Sequence, residues 1–399
     1  MNPRIRSILL LTTAGLFLLP GATPTFDMHI CGPDVIKLKK NETKTYVIGA
    51  GGNDTYYEVQ SESNDEKVLV SPKTIIIATD GVFDVTGLEP GTNTIVFYWD
   101  STRYDDELAD GVCEVKVRVA SPDVNSTGDA DDVAPGDGMC DTDALIDRNG
   151  NEEMECTLRA AITESNATPG ADSYMYRIPP TDPGAEGGGR FRISASSLPS
   201  VAAPLALDGT SVLAKSGQAA PPTSSITVSG SGLVYAAGSE GSDLKGHTII
   251  NATGPGVQID ASGVTIRANY IGTTTAGGAT DGNGASGILI NGDGNTIGGG
   301  SAADQNIIAG NTEYGIDIQG SNNTVQGNWI GVSGQSQAVP NMMGGIALNG
   351  DSNQIGGDAS AAGEAPGNVV SGNEINESTA GIVINSDSNT LEGNIVGLD

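Results

Sequence analysis

Basic residues are scarce in this chain: 19 lysines and arginines stand against 49 aspartates and glutamates in 399 residues, giving a formal net charge of −30. From Ala202 onward the basic residues are only Lys215, Lys245, His247 and Arg267. A chain of this charge repels phosphate backbones, so we expect no nucleic acid among its partners. Anionic polysaccharides would be repelled too, unless cations bridge them.

Other chemistry is sparse as well. Aromatic residues make up 4% of the chain and charged residues 17%, which fits neither a compact enzyme-like core nor a disordered polyanion. The sequence has no Ser–His–Asp set, phosphate-binding loop or zinc-ligand spacing. What is abundant is glycine, at 57 residues, which is typical of a turn-rich all-β chain.

The N-terminus reads as a secretory signal peptide over 1–23. Two arginines precede an apolar run from Ile8 to Leu19, and small residues follow, so we expect cleavage near Ala22 or Thr23. No later segment is apolar enough to span a membrane. We therefore expect a secreted protein, extracellular or displayed on the cell surface, with oxidised cysteines.

The C-terminal half repeats one short pattern four times. Each copy has a G-I-x-I strand, then N-x-[IVL]-x-G, then Asn and two apolar residues. The strands begin at Gly287, Gly315, Gly345 and Gly381, which are 315 − 287 = 28, 345 − 315 = 30 and 381 − 345 = 36 residues apart. A fixed internal order with elastic loops is typical of a solenoid.

The repeat predicts a right-handed, single-stranded parallel β-helix over 190–399, with three short strands per coil and Ile288, Ile316, Ile346 and Ile382 stacked inside. Two asparagine columns are expected to form structural hydrogen-bond ladders: Asn269, Asn306, Asn328, Asn368, Asn394 and Asn295, Asn323, Asn353, Asn389. The chain ends at Asp399 after a complete coil without a capping helix, so we expect a truncated or uncapped end. The last third resembles the bacterial right-handed β-helix repeat family, the pectate-lyase-like architecture.

Residues 27–121 form longer alternating strands that predict a small β-sandwich. The run from Val85 to Ile95, V-T-G-L-E-P-G-T-N-T-I, resembles bacterial Ig-like modules. Cys31 and Cys113 bracket this module, so a disulfide between its first and last strands is the economical pairing, with cross-module pairings as the alternatives.

Residues 123–180 contain P-G-D-G-M-C at 135–140 and then C-T-L-R-A-A-I at 156–162. This pair of motifs resembles the CSLREA domain of secreted bacterial proteins, with Thr157 and Ala160 in place of its Ser and first Glu. The resemblance implies a Cys140–Cys156 disulfide and an architecture in which β-helical repeats follow; it implies no activity.

Leu158, Ala161 and Ile162 fall on one face of a helix that we expect to end near Asn166, before Pro169. Because the first coil of a β-helix has an open strand edge, we predict that this helix covers it as an N-terminal cap. The alternative is a helix in a separate small domain.

Polysaccharide-cleaving β-helical enzymes need a basic residue with carboxylate-held calcium, or two facing carboxylates. The best candidate set for catalysis is Asp243, Lys245, His247, Asp260 and Arg267, with scattered surface charges as the alternative. An acidic loop with Asp141, Asp143, Asp147, Asn149 and Asn151 is the candidate calcium site, with a solvated acidic loop as the alternative.

A row of large apolar residues follows the first asparagine column: Tyr270, Ile307, Trp329, Val369 and Ile395. Alternation predicts that they point outward and form a stripe that binds a sugar by stacking or a partner protein. The alternative is that the loops after Ile271 and Ile330 cover them. The sequence thus favours a monomeric secreted or surface protein that binds carbohydrate or a surface protein, with a polysaccharide lyase or glycosidase as the alternative and no cofactor other than calcium.

Overall fold

A computed structural model of the protein describes residues 35–39, 41–48, 56–61, 68–71, 74–75, 81–87, 91–100, 111–148, 151–210, 226–275, 281–333, 337–373 and 380–397. The predicted signal peptide and Cys31 lie outside these residues, so the predicted Cys31–Cys113 disulfide does too. The described structure is nearly all β. It divides into two compact units, Met1–Pro122 with Met139–Glu155, and Asp123–Gly138 with Cys156–Asp399. The segment 123–180, predicted as one module, is therefore shared between the two units.

The first unit consists of two main sheets and a hairpin. Its strands are β1 Val35–Leu38, β2 Thr43–Ile48, β3 Tyr56–Ser61, β4 Val68–Ser71, β5 Thr74–Ile75, β6 Gly81–Gly87, β7 Gly91–Asp100, β8 Gly111–Val119, β9 Leu145–Arg148 and β10 Asn151–Met154. One sheet has the order β1-β8-β7-β3-β5 and the other β2-β6-β4, while β9 and β10 pair as an antiparallel hairpin. Strand β1 runs parallel to β8, so these two strands are neighbours.

In the second unit, the segment Asp123–Gly138 is followed by helix α1, Leu158–Ala167, and then by a long series of short strands. The strands are β11 Asp172–Met175, β12 Ala185–Gly187, β13 Arg190–Ser194, β14 Leu205–Asp208, β15 Ile226–Ser229, β16 Leu233–Tyr235, β17 Asp243–Lys245, β18 His247–Ile250, β19 Val257–Ile259, β20 Thr265–Arg267, β21 Tyr270–Ile271, β22 Ile288–Ile290, β23 Thr296–Gly298, β24 Ile307–Ile308, β25 Tyr314–Ile318, β26 Thr324–Gln326, β27 Trp329–Ile330, β28 Gly344–Leu348, β29 Gln354–Gly356, β30 Val369–Val370, β31 Ala380–Ile384, β32 Thr390–Glu392 and β33 Ile395–Val396. One 3₁₀ turn, Ala302–Asp304, interrupts the series.

These strands are sorted into three sheets that the chain visits in turn. The first sheet has the order β11-β14-β17-β20-β23-β26-β29-β32, the second β12-β13-β15-β18-β21-β24-β27-β30-β33 and the third β16-β19-β22-β25-β28-β31. Apart from the antiparallel β12–β13 pair, all neighbours in these sheets are parallel. From β19 onward, each coil contributes one strand to the third sheet, one to the first and one to the second, in that order.

The predicted isoleucine stack is confirmed. Ile288 pairs with Ile316, Ile316 with Ile346, and Ile346 with Ile382 across the third sheet. Ile288, Ile316 and Ile346 are fully buried. In β22, Ile288 and Ile290 are buried, whereas Leu289 between them is partly exposed. Full burial of an aliphatic side chain stabilises the fold by roughly 1.5–3 kcal/mol, and stacking of coils is what achieves it here.

The repeated glycine of the G-I-x-I pattern has a steric cause. A Cβ added at Gly315 would lie 2.5 Å from Cγ2 of Ile330 in the core and 2.8 Å from the carbonyl oxygen of Gly345 in the next coil. Gly287 is equally crowded, with Cγ2 of Ile308 at 2.6 Å. Any side chain at this corner would therefore separate the coils or displace the core.

Buried asparagines form hydrogen-bond ladders at all three corners of the coils. Both predicted columns are confirmed: for example, Asn306 donates its backbone N–H and its Nδ2 to Oδ1 of Asn328, at 3.3 and 2.8 Å. The third column was not predicted and runs through Asn283, Asn311, Asn341 and Asn373, each again bonded to the next. The asparagine side chains thus provide hydrogen-bond partners for backbone groups at the turns, where no neighbouring strand can do so.

Helix α1 ends at Ala167, one residue beyond the predicted end, and Leu158, Ala161 and Ile162 are fully buried. Thr157 caps it by accepting a hydrogen bond from the backbone N–H of Ala160 at 3.0 Å. The helix belongs to the same compact unit as the stacked strands.

Glu164 in α1 is 1% exposed and organises the glycine-rich loop that precedes Cys140. Its carboxylate accepts hydrogen bonds from the backbone N–H groups of Gly136, at 2.5 Å, and Gly138, and from the hydroxyl of Thr168. The P-G-D-G run is thus a loop wrapped around a buried carboxylate. Cys140 and Cys156 are both disulfide-bonded.

Candidate functional site

Three of the five predicted catalytic residues lie together on the outer face of the first sheet. The register of β17 and β20 pairs Lys245 with Arg267, and Asp243 lies on the same strand as Lys245, two residues earlier. Arg267 makes a two-pronged contact with the Asp243 carboxylate, Nε at 3.0 Å and Nη2 at 2.6 Å, and its Nη1 reaches Asp304 at 3.2 Å. The hydrogen bonds that Arg267 donates to the Asp243 carboxylate raise the pKa of Arg267. Lys245 lies 3.3 Å from Asp208, so both cations are paired with carboxylates of their own chain.

His247 is not part of that cluster, which corrects the sequence-based assignment. It is fully buried, and its backbone N–H donates to Oδ1 of Asn269 at 2.9 Å. His247 therefore stands at the head of the first asparagine ladder, in the position that asparagine takes in the following coils. Its Nε2 hydrogen-bonds to the Tyr176 hydroxyl at 2.8 Å, and the two rings meet edge to face with centroids 5.3 Å apart. Burial lowers the pKa of His247 to about 4, so the ring is neutral at neutral pH and out of reach of a substrate.

Asp260 also lies elsewhere, on the exposed side of the turn that follows the third sheet. Its carboxylate accepts hydrogen bonds from Gln258 Nε2, at 3.0 and 3.1 Å, and from Asn291 Nδ2 at 2.7 Å. The predicted cluster is thus divided among an outer face, the core and a separate turn. The alternative of scattered surface charges describes Asp260, while the arginine and lysine form a local ion-pair network.

The predicted apolar stripe is in register but is not an exposed surface. Tyr270, Ile307, Trp329, Val369 and Ile395 follow one another across the second sheet. The first two are only 5% and 2% exposed, and the other three are half-buried. This corrects the expectation of a solvent-exposed stripe.

A loop covers part of this stripe. Gly363 lies so close to Ile395 that a Cβ added to it would meet Cδ1 at 2.5 Å, and Val369 Cγ2 would be 3.1 Å away. Gly363 belongs to the loop between β29 and β30, which precedes Val369, whereas the loops after Ile271 and Ile330 were the predicted covers. Val339, in the loop after Ile330, packs against Gly310.

The acidic loop is held by a lysine. Lys37 Nζ contacts Asp141 at 2.5 Å and Asp143 at 2.9 Å, and these carboxylates raise its pKa against the effect of burial. Asp147 lies in the β9–β10 hairpin, where it pairs with Glu152. Asn149 and the side chain of Asn151 lie outside the described part of the chain. Within the described residues no three His, Cys, Asp or Glu side chains gather as a metal site.

Calcium at this loop stays a prediction. Adding millimolar CaCl₂ to chelator-treated protein should raise the melting temperature if the loop binds the ion. An unchanged melting temperature would contradict it.

The sequence reading missed the outer face of the third sheet. Its outward positions, one per coil, are Gln258, Leu289, Asp317, Ala347 and Val383, and beside them runs a second row of polar residues, Asp260, Asn291, Gln319, Asn349 and Asn385. We call the seven polar residues of these two rows the lateral polar face. Its members hydrogen-bond along the rod from coil to coil, as in Asn349 Nδ2 to Asp317 at 3.1 Å and Asn385 Nδ2 to Asn349 at 2.9 Å. The sequence did contain a sign of this surface, because Asp317 is the charged residue at the variable position of G-I-x-I.

No family model matches this chain, and no curated protein matches it. Among solved structures, the chain is similar to WR4, a C. elegans MSP family member, with 18% sequence identity over 22% of this chain and 94% of that chain, at a TM-score of 0.19. That likeness is too slight to support an inference about fold or function. No helix in the described ranges is long and apolar enough to cross a membrane.

Proposed function

We propose that this protein is a secreted or cell-surface bacterial protein whose C-terminal part is a right-handed parallel β-helix that binds its ligand on its lateral surface. The strand order supports the architecture, because three parallel sheets are each built from every third strand of the coil series. The Ig-like module and the CSLREA-like segment remain part of this proposal. The bonded state of Cys140 and Cys156 is consistent with the pairing that the second resemblance implies.

The proposed N-terminal cap is helix α1. Its Asn166 donates to the carbonyl of Ser200 at 2.8 Å and accepts from the backbone N–H of Ala202 at 2.7 Å. Arg159 donates to the carbonyl of Ser197. These contacts attach the helix to the segment that leads into β14, where an uncovered first coil would otherwise present free backbone groups.

The observation that carries a binding function is the lateral polar face. Stacking places one amide or carboxylate per coil in a line, at intervals of about 4.8 Å, without any gain to the buried core. Such rows of planar hydrogen-bonding groups suit a repetitive ligand, and a carbohydrate chain is the ligand class that we propose. We expect the protein to act as a monomer, without a cofactor other than calcium.

The alternative function is a polysaccharide lyase or glycoside hydrolase that uses the region from Asp243 to Arg267. The ion pairs of Lys245 and Arg267 speak against it, because a base must be free to take a proton from the substrate. Incubation of the purified protein with a polysaccharide panel distinguishes the two functions. We expect co-sedimentation with a polysaccharide and no new chain ends; turnover that disappears in Lys245→Ala or Asp260→Ala would establish the enzyme instead.

A further inference from the structure

The lateral polar face has one position that differs from the rest, on strand β25. Asp317 is half-buried there, although it points away from the core, between the fully buried Ile316 and Ile318. Its Oδ1 accepts two hydrogen bonds, from Gln319 Nε2 at 2.7 Å and from Asn349 Nδ2 at 3.1 Å. Among the described residues, no donor reaches its Oδ2. The two amides therefore fix the carboxylate and leave one oxygen available to a ligand.

The surroundings of Asp317 favour a ligand that donates hydrogen bonds. Partial burial raises the pKa of this carboxyl, and the charge of Glu313 raises it further, against the effect of the two amides. A carboxylate that has lost part of its hydration gains more from a hydroxyl donor than a fully solvated one does. Asp260, the related carboxylate two coils away, has both oxygens engaged by Gln258 and Asn291.

An aromatic ring lies on the same strand. Tyr314 is three residues before Asp317, about 10 Å along an extended strand. Strict alternation would place two such side chains on opposite faces, but a Cβ on Gly315 between them would point into the core, toward Ile330, next to the inward Ile316. Alternation is therefore broken at Gly315, and Tyr314 stays partly exposed. Its ring packs over Gly344 of the next coil, where an added Cβ would lie 3.2 Å from Cε1, so the ring is held against the backbone while the residue stays partly exposed. Met342 and Met343, beside it, are 51% and 47% exposed, and the backbone N–H of Met343 donates to the carbonyl of Glu313 at 3.1 Å.

The charge of the chain indicates whether a neutral or an anionic glycan can bind. No lysine, arginine or histidine follows Arg267 in the sequence, and the net charge is −30. An anionic glycan has no cation to bind here and would be repelled by Asp317 and Glu313. A neutral sugar, in contrast, stacks its apolar face on an aromatic ring and donates its hydroxyls to a carboxylate.

We propose that the third-sheet surface around Tyr314 and Asp317 binds a neutral glycan, with one sugar stacked on the Tyr314 ring and a hydroxyl of the chain donating to Oδ2 of Asp317. This inference rests on the proposed function and states where on the protein the ligand binds. Met342 and Met343 extend the apolar part of the surface, and Gln319 and Asn349 position the carboxylate.

The test uses the secreted chain on immobilised neutral oligosaccharides of glucose, mannose, xylose and N-acetylglucosamine, with uronate and sulfated oligosaccharides on the same surface. We expect binding to a neutral series. Asp317→Asn and Tyr314→Ala should each weaken it about tenfold or more, whereas Tyr314→Phe, which keeps the ring, should stay within about threefold. Asp358→Asn is the matched control, because Asp358 is exposed in the loop after β29 and lies outside the lateral polar face, and it should change binding less than twofold.

Each of the other outcomes contradicts the proposed site, the proposed ligand class or the proposed function. Neutral-glycan binding that survives in both Asp317→Asn and Tyr314→Ala would overturn this site and leave the proposed function standing. Binding to the anionic series alone would overturn the ligand class. No binding to any saccharide would contradict both this inference and the carbohydrate ligand of the proposed function. Unchanged melting temperatures of the variants show that any loss is local.

Discussion

Replacement of Asn328 by alanine should destabilise the stacked coils strongly, although it removes only a small polar side chain. Oδ1 of Asn328 accepts the backbone N–H of Asn306 at 3.3 Å, and its Nδ2 donates to the carbonyl of Ile297 at 2.9 Å and to Asn368 at 3.1 Å. The residue is 0% exposed, so its partners have no contact with solvent in the folded protein. Leaving one buried donor unpaired costs about 1–3 kcal/mol, and the lost side-chain bonds bring the expected loss to about 2–4 kcal/mol.

The assay is urea unfolding followed by the fluorescence of Trp329, the residue next to the mutation. The chain has two tryptophans, so a Trp99→Phe background leaves Trp329 as the sole reporter and confines the signal to the second unit. Stacked repeats can unfold in parts, which makes a local reporter preferable to a global one. Asn291→Ala is the control, because Asn291 is exposed and should cost less than about 0.5 kcal/mol. Equal shifts in the two variants would refute the ladder argument.

Three further predictions follow from buried groups. The folded-state pKa of His247, about 4, lies below its ordinary 6.5. The neutral buried ring therefore contributes its full stabilisation above about pH 6.5, and the free energy of unfolding should decline by roughly 3 kcal/mol as the pH falls toward 4. This pH-dependent loss should vanish in His247→Asn, and a pH-independent difference between the unfolding curves of the two proteins would contradict it. Gly315→Ala places a Cβ 2.5 Å from a core methyl group and should cost about 1–3 kcal/mol in urea melts, whereas Gly254→Ala, with nothing within 4 Å, should be nearly neutral; equal effects would count against the steric explanation. Glu164→Ala removes the acceptor of two backbone N–H groups and should speed limited proteolysis within 134–139 several-fold, while an unchanged cleavage rate would show that the loop does not depend on it.

The sequence was sufficient to predict most of the stacking. Short strands recur in a fixed order, and a residue such as Ile316 must align with its equivalents if its burial is to be complete. The two asparagine columns could be predicted because each asparagine immediately precedes an apolar strand. The third column, with Asn283 and Asn311, was missed because asparagine in a long loop is read as a turn former, although both lie four residues before the repeated glycine.

The candidate sites were harder to predict because they depend on contacts between distant residues. His247 reads as a reactive side chain until its hydrogen bond to Tyr176, 71 residues earlier, shows it to be interior. Tyr270 and Ile307 point away from the core by alternation, but alternation says nothing about what covers them. The free oxygen of Asp317 follows from two amides, one of them on the next coil, and no local pattern encodes it.

In the proposed β-helix, outward residues line up from coil to coil, and a distance between spin labels at Gln258 and Val383 measures this alignment directly. These residues are 383 − 258 = 125 positions apart in the sequence but only four coil steps apart across the third sheet, through Leu289, Asp317 and Ala347. At about 4.8 Å per step the predicted separation is about 19 Å, with a narrow distribution. A broad distribution, or one centred beyond about 30 Å, would contradict the stacked coils and the lateral polar face with them.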